Sequence, residues 1–138
     1  MKLLGLLSIC CALFAQAPPA IPPEPTPQPV LDLIRATAEA LQNKDVQAFL
    51  DHVDGKMPGY QMLDYYLEGL AAQDNVISTI EIVSDKGDQN KRMLDLDWTL
   101  NIGSEPLRRA VVKVTVEKQG KQWKFTALDP VDFFKPPA

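Results

Sequence analysis

His52 is the single histidine of the 138-residue sequence, and Asp51 and Asp54 lie close on either side of it. An imidazole titrates near neutral pH, so a His oriented by a carboxylate can act as a general base. Asp51 is the carboxylate placed to orient it. The competing reading is a helix C-terminal His that interacts with the helix dipole and with water, and this reading is favoured. Cys10 and Cys11 are the only cysteines, both near the N-terminus. With one His and no cysteine further along, no zinc site of the usual type can be assembled. Asp85, Asp88 and Asn90 surround Gly87, but the spacing and closing Glu of a calcium loop are missing, so a solvated turn is expected. No nucleophile elbow, phosphate loop or dinucleotide fingerprint occurs, and neither Ser78 nor Ser104 has an evident His partner. The expectation is no metal and no cofactor.

The residues before position 30 have a different character from the rest. Met1-Lys2 is a short basic start, Leu3 to Phe14 is apolar, and Ala15-Gln16-Ala17 offers small side chains at peptidase positions. That is the layout of a secretory signal peptide, too short to be a permanent membrane helix. Cleavage after Ala17 leaves Pro18 at the new N-terminus, which keeps cleavage after Ala15 open. Ile9 before Cys10, and Cys10 before Cys11, speak against a lipoprotein. Residues 18–29 hold seven of the twelve prolines and read as a semi-rigid proline-rich linker. The net charge of −4 becomes −5 once residues 1–17, with Lys2, are removed. An acidic chain does not suit a general nucleic-acid binder. The expected organisation is a signal peptide over 1–17, a linker over 18–29 and one domain over 30–138. No transmembrane segment is expected in the mature chain, and localisation is expected to be periplasmic or secreted.

The domain must be built by elements legible in its periodicity. Leu31, Ile34, Ala38 and Leu41 give a first helix from Val30. Asp45 can cap a second, Val46 to about His52, with Val46, Phe49, Leu50 and Val53 as its stripe. A third, about Tyr60 to Gln73, turns Met62, Leu63, Tyr66, Leu67 and Leu70 inward. After Asn75 the period becomes two. Strands are expected at Val76–Val83, Lys91–Ile102, Leu107–Lys118 and Gln122–Leu128, with Trp123, Phe125 and Ala127 on one face of the last. Gln119-Gly120 makes the final hairpin. Asp95 and Asp97 fall on the wet face opposite Arg109, Lys113 and Lys124, which favours cross-strand ion pairs over a catalytic carboxylate pair. The fold class is α+β.

Three stretches carry a family resemblance: Asn43-Lys44-Asp45-Val46-Gln47-Ala48-Phe49, Arg108 to Val114, and Gly120-Lys121-Gln122-Trp123-Lys124-Phe125 leading into Leu128-Asp129-Pro130. Together with the element order they resemble the nuclear transport factor 2-like superfamily (the SnoaL-like, cystatin-like cone), and its small exported bacterial members most of all. The resemblance implies three N-terminal helices packed in a curved four-stranded antiparallel sheet, with a pocket at the wide end. In the steroid isomerases and polyketide cyclases of that superfamily, a carboxylate or His lies inside the cone. One departure stands out: only about ten polar or turn residues separate the second and third helices, where members commonly have strands. The missing edge shrinks the pocket or leaves it open.

Within such a cone, Met57, Tyr60, Tyr66 and Trp98 would line the pocket, with Tyr65 and Met62 nearby, and would take a small apolar ligand. Core filling is the competing reading for all of them. His52 and Asp64 are the catalytic candidates, with Glu81 behind them, for an isomerase or cyclase that needs a carboxylate of raised pKa. The favoured expectation is an exported ligand-binding or protein-interaction domain, more in keeping with binding than catalysis. The alternatives are a cone enzyme and an envelope accessory protein binding through the sheet face, and a homodimer is one further possibility. Phe133-Phe134 either folds back over the cone or forms an exposed patch.

Overall fold

Proline at the start of a helix loses nothing, because the first-turn N–H groups have no intrahelical acceptor. Pro27 caps the first helix, α1 (Gln28–Gln42), and Pro29 sits in its first turn. The helix therefore begins two residues before Val30. This is a computed structural model, and it describes residues 25–138. The signal segment over 1–17 and most of the linker lie outside the described residues.

The buried face of α1 is Val30, Leu33, Ile34, Thr37, Ala40 and Leu41. Leu31 and Ala38, expected inward, are only half-buried. A polar residue takes part in the true stripe because the Thr37 hydroxyl donates to the Leu33 carbonyl at 2.7 Å and so enters the core satisfied. Helix α2 (Val46–Leu50) is capped by Asp45, whose carboxylate accepts from Ala48 N–H at 3.0 Å. It ends sooner than expected, which leaves His52 just past its C-terminus. In α3 (Tyr60–Ala71) the stripe is Leu63, Tyr66, Leu67 and Leu70, while Met62 is 49 % exposed at its edge.

Four strands follow: β1 (Val76–Gly87), β2 (Lys91–Ile102), β3 (Arg108–Gln119) and β4 (Gln122–Asp129). They form an antiparallel sheet in the order β1-β2-β3-β4. The first strand runs four residues beyond its expected end, through part of the anticipated polar turn. Its extension is held by Arg92, 1 % exposed, which makes a two-pronged ion pair with Asp85 at 2.8 and 3.1 Å. Thr26 donates to the same Asp85 carboxylate, tying the end of the linker to this hairpin. Gly87 has φ +146, and a Cβ there would lie 2.2 Å from the Lys91 carbonyl oxygen, so the turn needs glycine.

The register slips at Val83 in β1 and at Thr126 in β4. One extra residue flips every side chain beyond it to the other face. In β4 this turns Ala127 outward and buries Leu128, reversing the expected place of Ala127. On the outer face the ion pairs form as expected: Arg109 to Asp97 at 2.6 Å and Lys113 to Asp95 at 3.3 Å. Glu81 stands directly across from Asp97, a like-charge pair that Arg109 offsets. The three helices pack against the other face of this sheet, giving the expected α+β layer pair, and β4 leads into a 3-10 helix, Val131–Phe134.

Candidate functional site

The interior of the helix–sheet layer pair is occupied by aromatic side chains. Trp98 is fully buried, with Phe49 stacked at 6.5 Å and Phe134 edge-on at 5.0 Å between ring centroids. Phe133 lies 6.1 Å from Trp98 and 5.2 Å from Phe134. The Trp98 indole N–H donates to the Ser78 hydroxyl at 2.8 Å, so the buried polar atom is satisfied. Of the two expectations for Phe133-Phe134, the structure has the one that folds back over the core.

The C-terminal segment is held down by several contacts. Arg108 donates to the Phe133 and Lys135 carbonyls at 2.6 and 2.7 Å. The Tyr66 hydroxyl donates to Asp132 at 3.2 Å, and burial together with that carboxylate raises the phenol pKa. Pro136 lies so close over α3 that a Cβ on Gly69 would meet its ring at 2.5 Å.

The four residues expected to line an apolar pocket are thereby dispersed. Trp98 and Met57 are core residues, and Tyr66 reaches toward the C-terminal segment. Tyr60 lines an open groove of about 630 Å³ between α2 and α3, with Asp45, Asp64 and Glu68. Asp64, one of the two catalytic candidates, thus meets Tyr60 at the surface and is separate from Trp98. Tyr65 and Met62 are exposed on α3, and Glu81 is exposed on β1.

His52 lies in a different place. Its backbone carbonyl accepts from Phe125 N–H at 2.8 Å, and Asp54 N–H donates to the Phe125 carbonyl at 2.9 Å. This short bridge docks the end of α2 on β4 and brings His52 beside Lys124. A second groove, also about 630 Å³, opens there between α1, α2 and β4. Asp32, Leu33 and Ala36 form one wall, and Asp51, His52, Trp123 and Lys124 the other. The His52 pKa falls below 6.5, because desolvation and Lys124 together outweigh the attraction of Asp51. Neutral imidazole is the favoured form.

Asp51 does not orient that ring: its carboxylate accepts from Gln47 at 2.8 Å, and the His52 side chain makes no hydrogen bond among the described residues. The His–Asp dyad considered from sequence is not assembled. Among the described residues, no group of three His, Cys, Asp or Glu side chains could hold a metal ion. The groove residues absent from the sequence reading of the site are Asp32, Gln122, Trp123 and Lys124. Nothing in local spacing joins them to His52, since the bridge to Phe125 spans some seventy positions.

No protein-family model matches the sequence, and no curated protein matches it either. Solved structures do. An NTF2-like protein of unknown function from Shewanella oneidensis has a TM-score of 0.62 at 14% identity, over 73% of this chain and 94% of its own. The Bdellovibrio bacteriovorus protein Bd1075 has a TM-score of 0.64 at 13% identity over 74% of this chain, which spans only 38% of that protein. A Novosphingobium aromaticivorans protein, proposed to be a scytalone dehydratase, has a TM-score of 0.63 at 13% identity, over 73% and 79% of the two chains. At these identities the likeness carries the fold alone.

Proposed function

Because the chain has the nuclear transport factor 2-like fold, we propose that it is a non-catalytic binding domain that engages its ligand or partner at the surface instead of inside the cone. One observation carries the reading: Trp98, Phe49, Phe133 and Phe134 fill the volume that chemistry housed in the cone would need. An isomerase or cyclase of that kind requires a polar group converging on an apolar cavity. Here His52 and Asp64 line two separate open grooves on the outside.

We propose also that the domain acts outside the cytoplasm. The basic start, the apolar run from Leu3 to Phe14 and the Ala15-Gln16-Ala17 site support export, and the proline-rich segment would hold the domain away from its point of release. No helix among the described residues is long and apolar enough to cross a membrane.

The cone reading is tested by fluorescence excited selectively at tryptophan in a Trp123→Phe background, where Trp98 is the sole tryptophan. Steroid-sized apolar compounds should leave its emission unchanged. Stoichiometric quenching of Trp98 by such a compound would show an accessible cone and overturn the proposal.

A further inference from the structure

The end of the proline-rich segment is part of the folded domain. Thr26 donates to the Asp85 carboxylate that Arg92 also holds, and Pro27 caps α1. Around this anchor lies a third groove of about 410 Å³, with Pro25, Pro27 and Pro29 on one side and Arg92, Lys118 and Trp123 on the other. Lys118 and Trp123 are direct cross-strand partners, so both side chains stand on the same face of the sheet. Arg92 pairs with Val116, two residues before Lys118, which puts it on that face too. Trp123 is 7 % exposed, and its indole N–H has no acceptor among the described residues, a rare state for a buried donor. Arg92 is offset by Asp85, and Asp88 in the adjoining turn by Lys91, so Lys118 leaves the groove with an excess of positive charge.

We infer that this groove is filled by the chain itself: Ile21-Pro22-Pro23-Glu24, the residues just upstream of Pro25, lie in it as a strap. A proline-rich stretch favours polyproline II, which has no internal hydrogen bonds and so offers its carbonyls to other donors. Those carbonyls are acceptors for the Trp123 indole N–H, and proline rings suit an aromatic wall, as in other grooves that hold proline-rich segments. Glu24 is the single charged residue of 18–29, and it meets the excess charge of Lys118. Reach is sufficient, since four residues at about 3.1 Å each carry the chain roughly 12 Å from Pro25. The tethering role proposed above belongs to the chain before cleavage, and the strap to the chain after it. A foreign proline-rich segment would meet Trp123 only by displacing the strap. The inference goes beyond the surface-binding reading and does not depend on it.

The test is nuclear Overhauser spectroscopy on the chain from Pro18 to Ala138, which holds every described element. Contacts are expected between the ring protons of Pro22 or Pro23 and the Trp123 indole. Glu24→Lys should weaken these contacts and move the Trp123 indole N–H signal, and adding Lys118→Glu should restore both. Isotope-filtered spectra of a mixture of labelled and unlabelled protein distinguish the occupants: contacts within one chain support the strap, and contacts only between chains assign the groove to a second copy and overturn it. Absence of the contacts from the native chain, or contacts that ignore the charge reversal, would also overturn the inference. Each of these failures leaves the surface-binding reading standing.

Discussion

His52 stands half-buried between Asp51 and Lys124, and the loss of hydration is the largest influence on its proton affinity. A histidine with a lower pKa folded than unfolded binds more protons in the unfolded chain. Its neutral form therefore contributes stability above the unfolded pKa of about 6.5, and that contribution is lost as pH falls through the lower folded value. Asp54, Asp88, Asp95 and Asp97 also have lowered pKa values, through hydrogen bonds from Lys56, Asn90, Ser84 and Arg109 respectively. They act only below their ordinary 3.8 and so leave the range just under 6.5 to His52. Urea midpoints measured across that range should fall with pH in the native protein and stay flatter in His52→Gln. Parallel curves would refute the assignment. Sequence placed His52 as the last residue of the second helix, which stops at Leu50 and leaves it in the following turn, and could not supply its neighbours. Asp32, Trp123 and Lys124 come from the first helix and the last strand, and only the docking of residues 52–54 on Phe125 brings them together.

Among the elements, legibility followed the strength of the period. Strand β2 alternates without interruption from Arg92 to Ile102 and has its expected bounds. Strand β4 has an extra residue at Thr126, and a bulge leaves the composition of a strand unchanged, so Ala127 and Leu128 exchange faces without warning. The C-terminal 3-10 helix is the element with the greatest consequence for the proposed function, because it supplies two of the three rings around Trp98 and is fixed by Arg108 and Tyr66. Two adjacent phenylalanines in a tail announce burial or an interaction patch equally well, and the choice is made by the space that the helices and sheet leave open. Removing the residues after Asp132 should lower the melting temperature sharply. Phe134→Ala alone should cost about 3–5 kcal/mol, the usual range for deleting a buried aromatic ring. A melting temperature unchanged by the truncation would mean that the rings are peripheral, and the filled-cone argument would go with them.

For the whole molecule, the proposed export and the absence of cysteine after Cys11 together limit how the domain can be stabilised. Small secreted domains commonly depend on disulfides when their core is too small. Here the stability must come from the apolar core between helices and sheet, with the buried Arg92–Asp85 pair closing the β1–β2 hairpin. Export and redox independence are therefore linked: the processed chain should melt at the same temperature with and without reductant. Intact mass of the protein recovered from outside the cytoplasm should correspond to a chain beginning at Gln16 or Pro18, the two positions left by the alanine sites. A mass that retains residues 1–17 would refute cleavage. One that begins at Cys10 or Cys11 with added acyl chains would make the domain a membrane-anchored lipoprotein, with its groove presented at the bilayer surface. Release without lipid is the outcome predicted by Ile9 before Cys10 and Cys10 before Cys11, and indifference to reductant is the one predicted by the cysteine-free domain.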